Sequence, residues 1–149
     1  MNKNEKNTKP IIALSGGFDP PTKVHIAMIQ DASRIGKVVI ILNTDKWCGK
    51  KRWNGKAFLS FKKRKKILSA MSDVHDVVKA DDNDGTVCKT LRTLSPDFFG
   101  NGGYRNIENT PEVKVCKEMN IGMIWFLGKD VDEYLDENIL SEAIRSANE

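Results

Sequence analysis

Short apolar runs alternate with helical periods along this chain of 149 residues, and this alternation restricts the fold more than any other feature. The clearest run, 38–42, contains only Val, Ile and Leu, which is typical of a strand buried on both faces of a sheet. Strands that alternate with helices predict a parallel sheet covered by helices on both faces. We therefore expect one α/β domain over residues 10–149, preceded by a frayed segment, 1–9.

Periodicity also places the individual elements. The predicted strands are 10–15, 38–42, 76–79, 97–100 and 122–127. The predicted helices are 24–35, 60–71, one that follows residue 85, one from Pro111 to about 119, and 138–147. We predict a polar loop at 43–58 and a glycine loop at 101–103. Ligands of α/β sheets bind beyond the carboxyl ends of the strands, so loops that follow strands form the candidate site.

Composition excludes several classes of protein. The hydrophobic fraction of 40% and the charged fraction of 30% are typical of globular domains. No apolar run approaches the roughly 20 residues of a membrane helix, and residues 1–10 lack the apolar core of a signal peptide. The three cysteines fit neither a zinc spacing nor a disulfide framework. These features predict a cytoplasmic protein without a membrane partner.

The junction between the first strand and the first helix carries the residues best suited to chemistry. Gly16 and Gly17 follow the strand, and a helix begins a few residues later. Such a junction directs backbone N–H groups and a helix N-terminus towards one point, where a phosphate binds well. Thr22 and His25 are three residues apart and therefore lie on the same helix face. The junction predicts a phosphate site.

Positive charge is concentrated between residues 46 and 66, which hold ten lysines and arginines in a chain of net charge +4. Clustered cations suit a polyphosphate ligand or a nucleic acid. A solvated helix face explains the run 62–66 equally well. Arg64 lies on the apolar side of its helix, which favours a ligand or a supporting role, because an unpaired buried charge is costly. Trp47 and Trp53 either stack on a base, close a lid or anchor the loop.

The joint order of several motifs resembles that of the nucleotidyltransferase superfamily, the cytidylyltransferase-like enzymes. The segments that carry the resemblance are Gly17-Phe18-Asp19 with Thr22 and His25, Asn43-Thr44-Asp45, Gly49-Lys50-Lys51, Phe61–Leu68 with Arg64, Asp82–Cys88, Pro96–Gly103 and Asn109–Glu112. The later segments resemble a subgroup related to glycerol-3-phosphate cytidylyltransferase and heptose-phosphate adenylyltransferase. The resemblance extends over nearly the whole chain and implies a Rossmann-like fold with five strands in the order 3-2-1-4-5.

The resemblance also implies an activity. A phosphate oxygen of a small acceptor attacks the α-phosphorus of a nucleoside triphosphate, and pyrophosphate leaves. It favours transfer of CMP to a polyol or sugar phosphate; the alternatives are an adenylyltransferase that uses ATP and a nucleotide-binding pseudoenzyme. It further implies Mg²⁺ bound with the triphosphate, small-molecule substrates rather than a nucleic acid, and a homodimer.

Individual roles follow from the same resemblance. The implied catalytic residues are Thr22, His25, Lys51 and Arg64. The implied nucleotide contacts are Gly16, Gly17, Phe18, Asp19, Lys50, Asn101, Gly102, Gly103 and Lys129. The implied acceptor contacts are Asp45 and Arg105. Asp19 is expected either to order its loop or to hold Mg²⁺ through water.

Three positions depart from the superfamily pattern. Val24 stands where most members have Gly, and Tyr104 stands where relatives usually have Asp. Asp136-Glu137-Asn138 replaces a Ser/Thr-rich turn that binds the nucleotide phosphates in relatives. Carboxylates repel a triphosphate, so this turn predicts altered or absent activity unless Lys129 or a metal offsets the charge.

Overall fold

A computed structural model describes residues 9–103 and 105–129 of the chain. In this part of the chain the elements are β1 (Ile11–Gly16), α1 (Lys23–Ser33), β2 (Lys37–Leu42), α2 (Asp45–Lys50), α3 (Phe61–Ser69), β3 (Val74–Lys79), α4 (Cys88–Leu94), β4 (Phe98–Gly102), α5 (Val113–Glu118) and β5 (Gly122–Leu127). None of these helices is long and apolar enough to cross a bilayer.

The five strands form one parallel sheet in the order β3-β2-β1-β4-β5, which confirms the Rossmann-like topology expected from the sequence. Ile12 of β1 is paired with Val38 of β2 on one side and with Phe98 of β4 on the other. β2 and β3 lie on one side of β1, and the later strands β4 and β5 lie on its other side. The strand order therefore reverses at β1 and β4, and a ligand crevice is expected beyond their carboxyl ends.

Two apolar clusters cover the two faces of the sheet. Ile12 and Leu14 of β1 belong to the cluster that also includes Ile29 of α1 and Leu68 of α3. Ala13, the residue between them, belongs to the cluster on the opposite face, which includes residues of α4 and α5. This alternation follows from the two-residue repeat of a strand and confirms that helices cover both faces.

The predicted polar loop 43–58 was wrong in part, because it contains the short helix α2. Thr44 begins this helix, and its Oγ1 accepts a hydrogen bond from Trp47 N at 3.1 Å. Asp45 in the first turn adds a favourable interaction with the helix dipole. Six residues show too little apolar periodicity to reveal a helix, whereas the capping residue was visible in the sequence.

Other boundaries also differ from the predictions. β4 continues through Asn101 and Gly102, which were predicted as a loop, because it remains paired with β5 as far as Gly102. The helix expected from Pro111 begins at Val113. The predicted helix 138–147 and nearly all of the segment 1–9 lie outside the described residues, so the predicted domain limits stay a prediction.

Candidate active site

The loop between β1 and α1 ends in a reciprocal cap. The His25 N–H donates to Thr22 Oγ1 at 3.4 Å, and the Thr22 N–H donates to His25 Nδ1 at 3.0 Å. An imidazole nitrogen that accepts a hydrogen bond must carry its lone pair, so we assign the ring proton to Nε2. The cap thereby leaves an Nε2–H donor at the N-terminus of α1, where an anion is favoured.

The surroundings of His25 also favour the neutral ring. The rings of Phe18 and His25 lie 4.6 Å apart between centroids. Burial lowers the pKa of His25 from its ordinary value of 6.5. Phe18 itself is buried and has a positive φ of 48°, which turns the chain sharply after Gly17. His25 is therefore a neutral hydrogen-bond donor near neutral pH rather than a fixed cation.

Asp19 orders the loop that leads into α3. Its Oδ1 accepts from Leu59 N at 2.6 Å and its Oδ2 accepts from Phe58 N at 2.7 Å, while Arg52 Nε lies 3.7 Å away. Each carboxylate oxygen thus already has a protein donor. Among the described residues no group of three or more His, Cys, Asp or Glu could hold a metal ion. The loop-ordering role is present in the structure, and the Mg²⁺ role stays a prediction.

Arg64 lies completely buried beneath the loop and connects three segments. Its guanidinium donates to Leu59 O at 2.9 Å, to Gly17 O at 2.8 Å and to Asn43 O at 2.9 Å. A fourth bond reaches Asp45 Oδ1 at 2.6 Å. These bonds satisfy a charge that would otherwise be costly to bury. Arg64 therefore supports the backbone of the site, and direct contact with a substrate stays a prediction.

A cavity of about 160 Å³ lies above this support, lined by Gly17, Asp19, Trp47, Cys48, Lys51 and Arg52. The ammonium of Lys51 lies 4.7 Å from the centroid of the Trp47 ring. The neighbouring Lys50 is exposed. A side chain at Gly17 would place its Cβ 2.8 Å from Cys48 Sγ, so only Gly fits here without movement. The cavity combines cations with a closely approaching backbone, as a phosphate requires.

A second cavity, of about 420 Å³, lies at the ends of β4 and β5 and is lined by Arg105, Asn106, Ile107, Glu108, Trp125 and Phe126. Its apolar rings and polar edges suit a flat heterocycle. The structure thus places the two predicted acceptor contacts apart: Asp45 follows β2 and bonds to Arg64, whereas Arg105 lines this second cavity.

Other predicted nucleotide contacts also lie at the β4 and β5 side. The Asn101 amide is buried and donates to Ile124 O at 3.3 Å, which joins the two strands. Gly102 ends β4 against Met28 of α1, and Gly103 is half-buried. The Lys129 ammonium lies 5.6 Å from the Phe126 ring centroid. Their contacts with a nucleotide stay predictions.

Comparison with known proteins shows the family of the chain. A family model described as Cytidylyltransferase-like matches residues 13–148. The chain belongs to the cytidylyltransferase-like family. This membership agrees with the resemblance that the sequence motifs indicated.

Two relatives illustrate how far the similarity to curated members extends. The bifunctional protein HldE of Syntrophotalea carbinolica is 30% identical over 112 residues, which are 74% of this chain and 22% of that protein. The bifunctional protein HldE of Citrifermentans bemidjiense is 27% identical over 136 residues, which are 89% of this chain and 28% of that protein. The chain therefore spans about a quarter of the length of the curated relatives it matches.

A solved structure shares the fold. The crystal structure of the lipopolysaccharide core biosynthesis protein from Thermoplasma volcanium GSS1 aligns with a TM-score of 0.63 at 18% identity. The alignment covers 80% of this chain and 97% of that chain.

The departures from the family pattern are only partly described by the structure. The side chain of Val24 is half-buried and packs against the core cluster of Ile12 and Leu14. Tyr104 and Asp136-Glu137-Asn138 lie outside the described residues. Lys62, Lys63, Lys65 and Lys66 of α3 are exposed, as a solvated helix face predicts, and binding of a nucleic acid stays untested.

Sequence reasoning missed a buried polar group at the ends of β2 and β3. Asn43 and Asp82 are 2% and 5% exposed, and the Asn43 amide donates to Asp82 Oδ2 at 2.9 Å. Trp47 Nε1 donates to Gly85 O at 3.3 Å, so Trp47 anchors its helix, whereas Trp53 is 97% exposed. The available signal was the position of polar residues directly after two strands, whereas Asp82 was used only as the start of a segment that resembles the family.

Proposed function

We propose that this member of the family transfers a nucleoside monophosphate from a nucleoside triphosphate to a small phosphorylated acceptor, a sugar or polyol phosphate. The observation that carries the proposal is the Thr22–His25 cap, which uses His25 Nδ1 and leaves Nε2–H, at the N-terminus of α1, with no hydrogen-bond partner among the described residues. A neutral donor at this point suits a phosphate oxygen in a site that already contains cations.

The reaction needs little chemistry from the protein. An anionic phosphate oxygen of the acceptor attacks the α-phosphorus, the bond to the β-phosphate oxygen breaks, and that oxygen leaves with the pyrophosphate. No proton has to be removed from the nucleophile, so no general base is required. Catalysis then consists of positioning and of neutralising the charge that builds on the phosphates.

Different residues of the site bind the phosphates, supply positive charge and support the backbone. His25 Nε2–H and the N-terminus of α1 hydrogen-bond the phosphate chain. Lys51, held at Trp47 beside the first cavity, supplies positive charge, and Lys50 adds to it from the exposed side. Arg64 keeps the Gly17 carbonyl turned away from the ligand by bonding to it. Both oxygens of Asp19 already accept backbone hydrogen bonds, so we propose that Mg²⁺ binds as the counterion of the triphosphate and not to Asp19.

The identity of the nucleotide is the finer part of the proposal. The sequence resemblance favours CMP, and the resemblance to heptose-phosphate adenylyltransferase supports transfer of AMP to a sugar phosphate as the alternative. The second cavity, with Trp125 and Phe126, is the candidate site for the base. A pseudoenzyme that binds nucleotide without turnover is the alternative suggested by Asp136-Glu137-Asn138.

The test measures pyrophosphate release with CTP and with ATP, each combined with a panel of sugar and polyol phosphates. We expect release with one nucleotide and its loss in His25→Ala. His75→Ala is the matched control, since His75 is exposed on the edge strand β3. A thermal shift with nucleotide but no pyrophosphate would support the pseudoenzyme. Absence of both would overturn the proposed phosphate site.

A further inference from the structure

Asp82 is a buried carboxylate that is satisfied by hydrogen bonds alone. It is 5% exposed, and it accepts from Asn43 Nδ2 and Thr44 N at 2.9 Å each and from Thr44 Oγ1 at 2.8 Å. Among the described residues it takes part in no ion pair. A carboxylate buried without a cation needs all of its donors, so the positions of Asn43 and Thr44 are tightly restricted.

The turn that carries Asp82 holds α2 at two points. Thr44 begins this helix and is held by Asp82, while the Trp47 indole inside the helix donates to Gly85 O at 3.3 Å. A helix of six residues has little stability of its own, because its first turn is costly to form. The turn 82–85 therefore helps to set the orientation of α2, together with the bond from Arg64 to Asp45.

The same network reaches the phosphate loop. Asn43 donates its side-chain amide to Asp82, and its carbonyl accepts from Arg64, which also donates to Gly17 O. Hydrogen bonds thus run from the end of β3, through the end of β2, to the end of β1. Fully satisfied buried networks of this kind favour a single geometry.

Two residues of α2 and the residue after the helix form part of the first cavity. Trp47, Cys48 and Lys51 line it together with Gly17, and the Trp47 ring lies 3.4 Å from the Cβ position of Gly17. A rotation of α2 would therefore move the Lys51 cation and change the room above Gly17 at the same time.

We propose that Asp82 is a positioning residue of this active site, which orients α2 so that Trp47 and Lys51 face a phosphate bound at Gly17. This inference rests on the proposed function for its kinetic test. It has a second, structural test that does not depend on the reaction.

The kinetic test compares three nearly isosteric variants. Asp82→Asn replaces one acceptor oxygen by an NH₂ group that faces a donor of Asn43 or Thr44. Thr44→Val removes the hydroxyl that donates to Asp82. Thr90→Val is the matched control: Thr90 Oγ1 accepts from Asp81 N at 2.8 Å, so the variant loses a partly buried hydrogen bond of the residue next to Asp82 and leaves the bonds of α2 unchanged. We expect kcat/KM to fall about 10- to 100-fold in the first two variants, mainly through KM, and to change less than about twofold in Thr90→Val.

The structural test follows alkylation of Cys48 by peptide mass spectrometry. This thiol is 4% exposed against Gly17, and burial raises its pKa, so it should react slowly in the wild type. Asp82→Asn and Thr44→Val should speed its modification about tenfold or more relative to Thr90→Val, because local opening of α2 exposes it.

The two readouts separate the possible failures. If the wild type releases no pyrophosphate but Cys48 is exposed selectively in Asp82→Asn, the proposed reaction is wrong and the role of Asp82 in holding α2 is retained. If Asp82→Asn and Thr44→Val match Thr90→Val in both kcat/KM and Cys48 labelling, the positioning role is overturned. If Asp82→Asn does not fold, Asn43→Leu replaces it, because this variant removes an amide that donates to Asp82 and keeps the Thr44 cap of α2.

Discussion

Thr22 and His25 hydrogen-bond to each other in both directions across the first turn of α1. His25 uses its backbone N–H and Nδ1 for this cap and retains Nε2–H for a ligand. The structural and functional roles of His25 therefore use different atoms and are compatible. Thr22, by contrast, already uses its hydroxyl oxygen in the cap, so its direct contact with a phosphate stays a prediction.

The cap predicts an unusual titration of His25. The pKa of His25 should lie below 6.5 in the folded protein, because burial disfavours the charged ring. Protonation would also turn Nδ1 into a donor that faces the Thr22 N–H. Proton NMR of the ring Cε1–H measures this pKa, and His75→Ala assigns the two histidines. A midpoint at or above 6.5 would contradict the effect of burial on this ring.

The same shift predicts how stability depends on pH. Between the folded pKa of His25 and its unfolded value of 6.5, the unfolded chain binds the proton more readily. The contribution of His25 to stability should therefore be complete above pH 6.5 and be lost as pH falls through the folded pKa. Chemical denaturation of the wild type and of His25→Ala across this range measures it: the difference in unfolding free energy should shrink towards acid. A constant difference would refute the linkage.

Arg64 and Asp45 should differ sharply in their effects on stability, although they form one ion pair. Arg64 is fully buried with four hydrogen bonds, whereas the Asp45 side chain is 54% exposed. Arg64→Met leaves three carbonyls without their donor and should cost about 3–5 kcal/mol of unfolding free energy. Asp45→Asn should cost less than about 1 kcal/mol, because solvent screens the pair.

Urea unfolding of both variants measures this difference, with Lys62→Met as an exposed control on the same helix. If Asp45→Asn destabilises as much as Arg64→Met, the ion pair rather than the bonds to carbonyls holds the loop. Kinetics on Asp45→Asn then address its implied role, since a contact with the acceptor should raise the KM for the acceptor with little change in Tm.

The parts of the fold that follow from local pattern were predictable from sequence. The apolar run of β2 indicated a doubly buried strand, and each of its residues from Val38 to Leu42 is at most 4% exposed. The strand order came from the family resemblance, because periodicity alone does not order strands. α2 escaped prediction because a helix of six residues carries little pattern, and it is held in place by the distant Asp82.

The site was predictable in its residue types but not in its contacts. Parallel topology brings the carboxyl ends of β1 and β4 to one edge of the sheet, so Gly17 and Gly103, which follow these strands, could be grouped in advance. The partners of Arg64 could not be predicted, since three of them, Leu59 O, Gly17 O and Asn43 O, are backbone carbonyls that every residue possesses. Contacts of this kind depend on the final packing of distant segments rather than on side-chain identity.

Asp19→Asn separates the loop-ordering role of Asp19 from a metal-binding role. The variant loses one acceptor for the N–H of Phe58 or Leu59, so proteolysis between residues 51 and 58 should become faster. At saturating nucleotide, the Mg²⁺ concentration for half-maximal rate should stay within about twofold of the wild type, whereas loss of a metal ligand would raise it about tenfold or more.

Asp97→Asn is the matched control for this experiment. Its carboxylate accepts from Ile11 N at 2.8 Å at the amino ends of β1 and β4, so the variant loses a comparable hydrogen bond away from the site. If Asp19→Asn shifts the Mg²⁺ requirement and leaves proteolysis unchanged, Asp19 holds the metal and the loop has other anchors.

Gly17→Ala tests whether close packing beneath the phosphate loop is required. The new Cβ would lie 2.8 Å from Cys48 Sγ and 3.4 Å from the Trp47 ring, while Gly17 has no positive φ that would strain alanine. The clash is therefore with α2 and not with the backbone itself. We expect a cost of about 1–3 kcal/mol in unfolding free energy and a fall in pyrophosphate release.

Removing the clashing sulfur should reverse both effects. Gly17→Ala combined with Cys48→Ala is expected to recover most of the lost Tm and activity relative to Cys48→Ala alone, because the Cβ then occupies the space left by Sγ. Cys116→Ala is the control. It changes a buried cysteine in the apolar cluster that contains Ala13, and it should give no rescue. If Tm recovers but pyrophosphate release does not, the Cβ obstructs the ligand itself, and the phosphate must lie on the Cys48 side of Gly17.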